Sequence, residues 1–185
     1  IYNNSGTISY IRKTVFSGNQ TYTNGGAISS VVGSIEKIVG TMTYTGTDYI
    51  SDVSFTENES KYGGAIWNNK SSRIGEIDGV LFKENTARSN GGAIYNTGTM
   101  KSIKDTVFKH NSAGTADNSK SAGYGGAIYT TKSLTIRNST FIDNSVSRNG
   151  GAIAQMGGDL TIVAQGTGKN VLFMKNKIGL YDTYE

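Results

Sequence analysis

The sequence predicts an all-β protein, a single-stranded parallel β-helix of about six coils, and three observations predict it. A glycine phrase, GGAI, recurs at Gly25, Gly63, Gly91, Gly125 and Gly150. A second phrase, Phe-x-x-Asn, recurs between those positions as Phe16/Asn19, Phe55/Asn58, Phe82/Asn85, Phe108/Asn111, Phe141/Asn144 and Phe173/Asn176, and it uses every phenylalanine in the chain. The intervals are rich in Gly, Thr, Ser and Asn, which favour turns and strands over helix interiors. Repetition at a short period is the mark of a solenoid, whose unit cannot bury its apolar face until neighbours stack on it.

The elements of one unit follow from its shortest clean copy, GGAIYTTKSLTIRNSTFIDNSVSRN, the 25 residues from Gly125 to Asn149. Three strand-like runs, AIYT, SLTI and STFID, are separated by Gly, Asn and Ser turn signals. Three short strands and three turns describe one coil, with successive coils hydrogen-bonded at about 4.8 Å. The Gly-Gly pairs (Gly25 and Gly26, Gly63 and Gly64, Gly91 and Gly92, Gly125 and Gly126, Gly150 and Gly151) allow a corner with positive φ. The Ile that closes GGAI is expected to face the lumen. So is the Ile five residues before each Phe: Ile11, Ile50, Ile77, Ile103 and Ile136, with Gly168 at that place in the last copy. The six Phe are expected to stack as an aromatic ladder, each buried ring contributing about 1.5–3 kcal/mol. The six Asn are expected at turns, bonding either their own backbone or the Asn of the next coil.

The opening IYNNSGTISYIRKTVFSGN aligns with IYNTGTMKSIKDTVFKHN from a later copy, so residues 1–185 read as one segment of a longer array. Two stretches break the rhythm. Phe55 stands 27 positions after Ile28, against 13 to 16 in four other copies, which places an insertion near 31–49. From Asn111 to Gly125 the usual step of five or six positions becomes fourteen, an insertion near 112–124.

Composition narrows the function classes. No apolar run approaches the roughly 20 residues a membrane-spanning helix requires, and no charged-then-apolar signal segment opens the chain. With no Cys, the chain holds neither a disulfide scaffold nor thiolate chemistry. The net charge of +4 comes from 18 scattered basic residues, with no cluster of the kind that binds nucleic acid.

Alternating GGA(I/L/V) and FxxN, carried from Ile1 to about Asn176, resembles the polymorphic outer membrane protein repeat of bacterial autotransporter passenger domains. The resemblance implies a right-handed β-helix, exported to the bacterial cell surface, outer membrane or extracellular space. It further implies work as an adhesin or self-associating factor, with a host-surface protein or glycan, or another passenger, as partner. The last copy departs from the pattern, with an enlarged middle (VAQGTGKN) and KIGLYDTYE in place of GGAI.

In a solenoid, specificity comes from exposed columns and insertions. The residue after GGAI is Tyr2, Ser29, Trp67, Tyr95, Tyr129 and Ala154 in successive copies. If Ile faces inward, strand alternation turns this residue outward. Trp67, Tyr95 and Tyr129, with Tyr2 in the same column, then form an exposed aromatic strip suited to sugars or a protein interface. The competing readings are a polysaccharide-binding or polysaccharide-cleaving β-helix, and a passive stalk. Cleavage would need clustered carboxylates, often with a divalent cation. Asp78 and Asp105 are the acids that could approach each other from neighbouring coils. His110, the sole histidine, reads as an exposed strand residue without a triad or metal partner. No enzyme activity, cofactor or metal is expected.

Overall fold

The computed structural model describes residues 1–114 and 123–179. Among these, every element is a strand. One coil is spelled out by Ile94–Asn96, Thr99–Lys104, Val107–Lys109 and Ser112–Ala113. Each strand pairs in parallel with its counterparts one coil earlier and one coil later. Stacking generates a nine-stranded sheet from the GGAI side, a six-stranded sheet that carries Phe, and a five-stranded sheet of two-residue strands. The chain is thus a parallel β-helix, as the repeat spacing predicts. The five-stranded sheet is an addition to the three expected runs. Its strands, such as Ser145–Val146, are too short to leave a pattern in the sequence.

Register is kept residue for residue. Ile28, Ile66, Ile94 and Ile128 pair in sequence and are fully buried, each Ile N–H donating to an Ala carbonyl one coil on at 2.9–3.0 Å. The Gly-Gly pair permits this closeness through two separate constraints. Gly91 has φ 67°, and a Cβ there would sit 2.2 Å from the carbonyl oxygen of Ile94. Gly92 instead faces the next coil, where a Cβ would lie 2.0 Å from the Gly126 carbonyl oxygen. The first glycine turns the corner, and the second lets two coils touch.

The lumen holds the phenylalanine ladder. Neighbouring rings lie 4.7–4.9 Å apart and within 7° of parallel along all six residues. That spacing matches the roughly 4.8 Å between strands, so the backbone register sets the ring stacking. Phe55, Phe82, Phe108 and Phe141 are fully buried, whereas Phe16 is half-buried and Phe173 is 46% exposed at the ends of the stack.

The asparagine column bonds between coils. Asn58, Asn85 and Asn111 each donate both the backbone N–H and the side-chain amide to Oδ1 of the next Asn, at 2.9–3.1 Å. The same amide also donates to a Phe carbonyl one coil back, as Asn111 does to Phe82 at 3.1 Å. Asn19, Asn144 and Asn176 continue the ladder.

Two lumen assignments change. Ile50 is 55% exposed, and its expected place is filled by Ile38, which stands in register between Ile11 and Ile77. In the last copy Ile162, paired with Ile136, occupies the column expected to be broken by Gly168. Both errors have one cause: extra residues lie between the inward Ile and the Phe, so counting back from Phe lands inside the insertion. The excess chain therefore occupies the later part of the stretch expected near 31–49 and runs on to Ser51. Residues 31–39 belong to the strand Ile28–Val39, and the antiparallel pair Met42–Tyr44 and Tyr49–Ser51 forms a hairpin outside the coil. The insertion expected near 112–124 falls largely on residues 115–122, outside the described residues, as do residues 180–185 of the final departure. His110 is exposed but is no strand residue; it follows Val107–Lys109 at a turn with φ 55°.

Candidate binding face

The column after GGAI is in register: Tyr2, Ser29, Trp67, Tyr95, Tyr129 and Ala154 pair in that order. Each points away from the lumen, because its neighbours on both sides face inward. Ile66, Ile94 and Ile128 precede, and Asn68, Asn96 and Thr130 follow, all fully buried. Trp67, Tyr95 and Tyr129 are half-buried, a correction to the exposed strip the sequence suggests. The physical reason is mutual cover. Tyr95 and Tyr129 stack at 4.7 Å with planes 7° apart, and Tyr62 leans on Tyr95 at 5.2 Å. Tyr2 is 69% exposed and is separated from Trp67 by Ser29, so it stands apart from the cluster.

Sequence reasoning missed Tyr62 and Tyr124. Both directly precede a Gly-Gly, a column that reads Asn24, Tyr62, Asn90, Tyr124 and Asn149, and both are half-buried. That column was the available signal. Cations cap the rim: Lys61 Nζ lies 5.3 Å from the Tyr62 ring centroid, and the Arg148 guanidinium lies 5.7 Å from that of Tyr124. Burial raises the Tyr95 phenol above its ordinary pKa, with Tyr129 and Tyr62 adding to it. Burial also raises Tyr129, with Tyr124 beside it. The hydroxyls are therefore neutral hydrogen-bonding groups at physiological pH, and the face presents stacked rings with polar tips.

Behind this face runs a second polar ladder, also missed. Asn68 donates to Asn96 Oδ1 at 2.7 Å, and Asn96 donates to Thr130 Oγ1 at 2.9 Å. Buried amides bonded from coil to coil leave the strands little freedom to slide, since a slip would strand them without partners. The outward rings thus sit on a backbone held from both sides.

The other acids singled out by sequence do approach each other. Lys104 Nζ lies 3.0 Å from Asp78 Oδ2 and 3.4 Å from Asp105 Oδ2, and Lys169 reaches Asp105 Oδ1 at 3.0 Å. Hydrogen bonding to Asp78 raises the pKa of Lys104. Burial pushes Asp105 upward, but the Lys169 hydrogen bond and the two ammonium charges carry it below its ordinary value. His110 stands between Glu84 and Asp143, at 3.8 and 3.5 Å.

The Chlamydia polymorphic membrane protein repeat matches residues 13–31, 52–71, 79–97, 105–131 and 138–154, together more than half of the chain. Each matched stretch runs from just before a Phe-x-x-Asn through the following GGAI, the two phrases that build the ladders and the corner. The chain belongs to this repeat family. It is 34% identical over 184 residues to the probable outer membrane protein pmp20 of Chlamydia pneumoniae, an alignment covering 94% of this chain and 10% of that protein. Against the probable outer membrane protein PmpA of Chlamydia muridarum it is 42% identical over 57 residues, 30% of this chain and 6% of the relative. The probable autotransporter YfaL of Escherichia coli is 31% identical over 185 residues, 76% of this chain and 14% of the relative. No solved structure matches the chain. Kinship with outer membrane proteins and an autotransporter places this polymorphic membrane protein repeat segment at the outer membrane or cell surface, as its motifs imply. No helix among the described residues is long and apolar enough to cross a membrane, a statement that leaves strand-built spans aside.

Proposed function

We propose that the segment works in adhesion, to a host-surface protein or glycan or to another passenger, through the aromatic face of the nine-stranded sheet. The observation that carries this reading is the stacked Tyr95 and Tyr129 pair continuing the Trp67 column on adjacent coils. Half-buried rings lose little side-chain freedom on binding, because packing already holds them. Their free edges offer apolar area with a hydroxyl or indole N–H at the tip, the composition that dominates energetic centres of interfaces. Lys61 and Arg148 at the rim add charge that steers approach. The reading includes no catalytic step, since Asp78 and Asp105 are both held in ion pairs with lysines.

The test is the triple variant Trp67→Ala/Tyr95→Ala/Tyr129→Ala, displayed on beads against host cells and against beads carrying the same chain. The expected result is at least a tenfold drop in bound beads, as loss of two or three aromatic anchors implies, with parallel β-sheet circular dichroism retained. Unchanged binding in both assays would remove the face from adhesion.

A further inference from the structure

The hairpin of the second coil and the enlarged middle of the last copy leave the solenoid at the same corner, between the nine-stranded and six-stranded sheets. In the compact coils that corner takes two residues, 105–106 after Thr99–Lys104 or 138–139 after Leu134–Arg137. In the second coil it holds the hairpin, and in the last it holds residues 164–171, between Leu160–Val163 and Leu172–Met174. The hairpin leans over the third and fourth coils, where Asp48 meets Lys109 at 2.8 Å and Lys83 at 3.7 Å. The later loop reaches back, with Lys169 bonded to Asp105 and the Gln165 N–H donating to Asn138 Oδ1 at 2.8 Å. Segments some 120 residues apart in sequence thus converge on one strip of the wall.

Between them lies an open cleft of about 430 Å³. One wall is aromatic, with Tyr44 and Tyr49 4.9 Å apart. The other is Lys169, and Asp78, Asp105 and Asn138 form the floor. Asp105 and Asn138 stand there with φ of 45° and 49°, the left-handed corner that Asp and Asn tolerate better than most residues. We infer that this cleft binds a neutral, hydroxyl-rich saccharide. The chemistry is selective. Asp78 and Asp105 are balanced by Lys104 and Lys169, so the floor has no net charge to attract a phosphate, a sulfate or a metal ion. It offers carboxylate acceptors and ammonium donors side by side, the complement of adjacent sugar hydroxyls, each of which donates one hydrogen bond and accepts another. The tyrosine wall is angled, its two ring planes 43° apart, and either ring face supplies apolar surface for the C–H face of a sugar ring. The volume falls within the range of about 300–1,000 Å³ typical of small-molecule sites.

The inference is independent of the aromatic adhesion face, because it uses none of the same residues. It is tested by saturation-transfer NMR on the intact chain, using neutral di- to tetrasaccharides of glucose, galactose, mannose and N-acetylglucosamine. Heparin-derived sulfated oligosaccharides and a tyrosine-rich peptide serve as competitors. A neutral saccharide is expected to bind, with affinity reduced about tenfold or more by Tyr44→Ala/Tyr49→Ala and measurably by Asp105→Asn, which leaves the hairpin intact. His110→Ala, outside both the cleft and the aromatic face, is expected to bind the sugar like the parent. The inference is overturned if no neutral saccharide binds, if binding survives both cleft variants, or if the sulfated or peptide competitor is preferred.

Discussion

Asn111 donates its backbone N–H and its side-chain amide to one acceptor, Asn144 Oδ1, at 3.0 and 2.9 Å. Its amide also caps the Phe82 carbonyl. Three residues earlier Phe108 lies fully buried between Phe82 and Phe141, at 4.8 and 4.9 Å. One phrase, FKHN, therefore holds a ring inside the lumen and an amide that locks the turn. Between them His110 adopts positive φ and faces solvent. A clear contrast in stability is expected within this phrase. Phe108→Ala should cost about 3–5 kcal/mol, because neighbouring rings held by backbone register cannot collapse into the space. His110→Ala should cost about 1 kcal/mol or less, as expected for an exposed side chain. Urea denaturation of the two variants beside the parent measures the difference, and equal midpoints would contradict the inward ladder. All six Phe and Asn positions were legible because each column repeats one residue type. The inner ladder through Asn68, Asn96 and Thr130 was not, since its members share only size and polarity. Strand alternation from the inward Ile was the clue to it.

At the scale of elements, the hairpin Met42–Ser51 is the piece that repeat spacing could announce but not place. Its length was plain from the interval before Phe55, while its start depended on knowing that Ile38, and not Ile50, fills the lumen. Both isoleucines are plausible from sequence, and only packing against Ile11 and Ile77 chooses between them. The hairpin is pinned at Asp48, whose carboxyl is held below its ordinary pKa by the Lys109 hydrogen bond and then by the Tyr49 N–H. A lowered folded-state pKa means that the pin contributes fully above the ordinary carboxylate value of about 3.9. The contribution is lost as pH falls through the lower folded value. For a part-exposed pair it amounts to a few tenths to about 1 kcal/mol. The Tyr49 amide resonance should therefore be constant from neutral pH to about pH 5 and shift below about pH 4. Asp48→Asn should abolish that acid step, and a step that persisted in the variant would assign it to another carboxylate.

At the scale of the whole molecule, cohesion is between neighbouring coils, so protection should follow position along the rod. Hydrogen exchange is expected to be slowest in Leu81–Lys83, Val107–Lys109 and Thr140–Ile142, where rings are covered from both sides. It should be faster in Leu172–Met174, whose Phe173 is uncovered on one side. Uniform protection would instead indicate a single all-or-none unit. The same architecture explains how a binding surface arises from a monotonous repeat. Register carries Trp67, Tyr95 and Tyr129 into one column, and the shared corner carries Tyr49 and Lys169 to one cleft.

Read alone, the residue order was sufficient for the coil, its corners, its aromatic and amide columns, and its kinship, because each is a local pattern copied with little change. The half-buried state of the aromatic face, the second polar ladder and the meeting of the hairpin with the loop of the last copy depend on which coil lies above which. Those relations form only when parallel strands stack, since side chains separated by one or more whole repeats become neighbours through backbone bonding between coils and not through proximity along the chain.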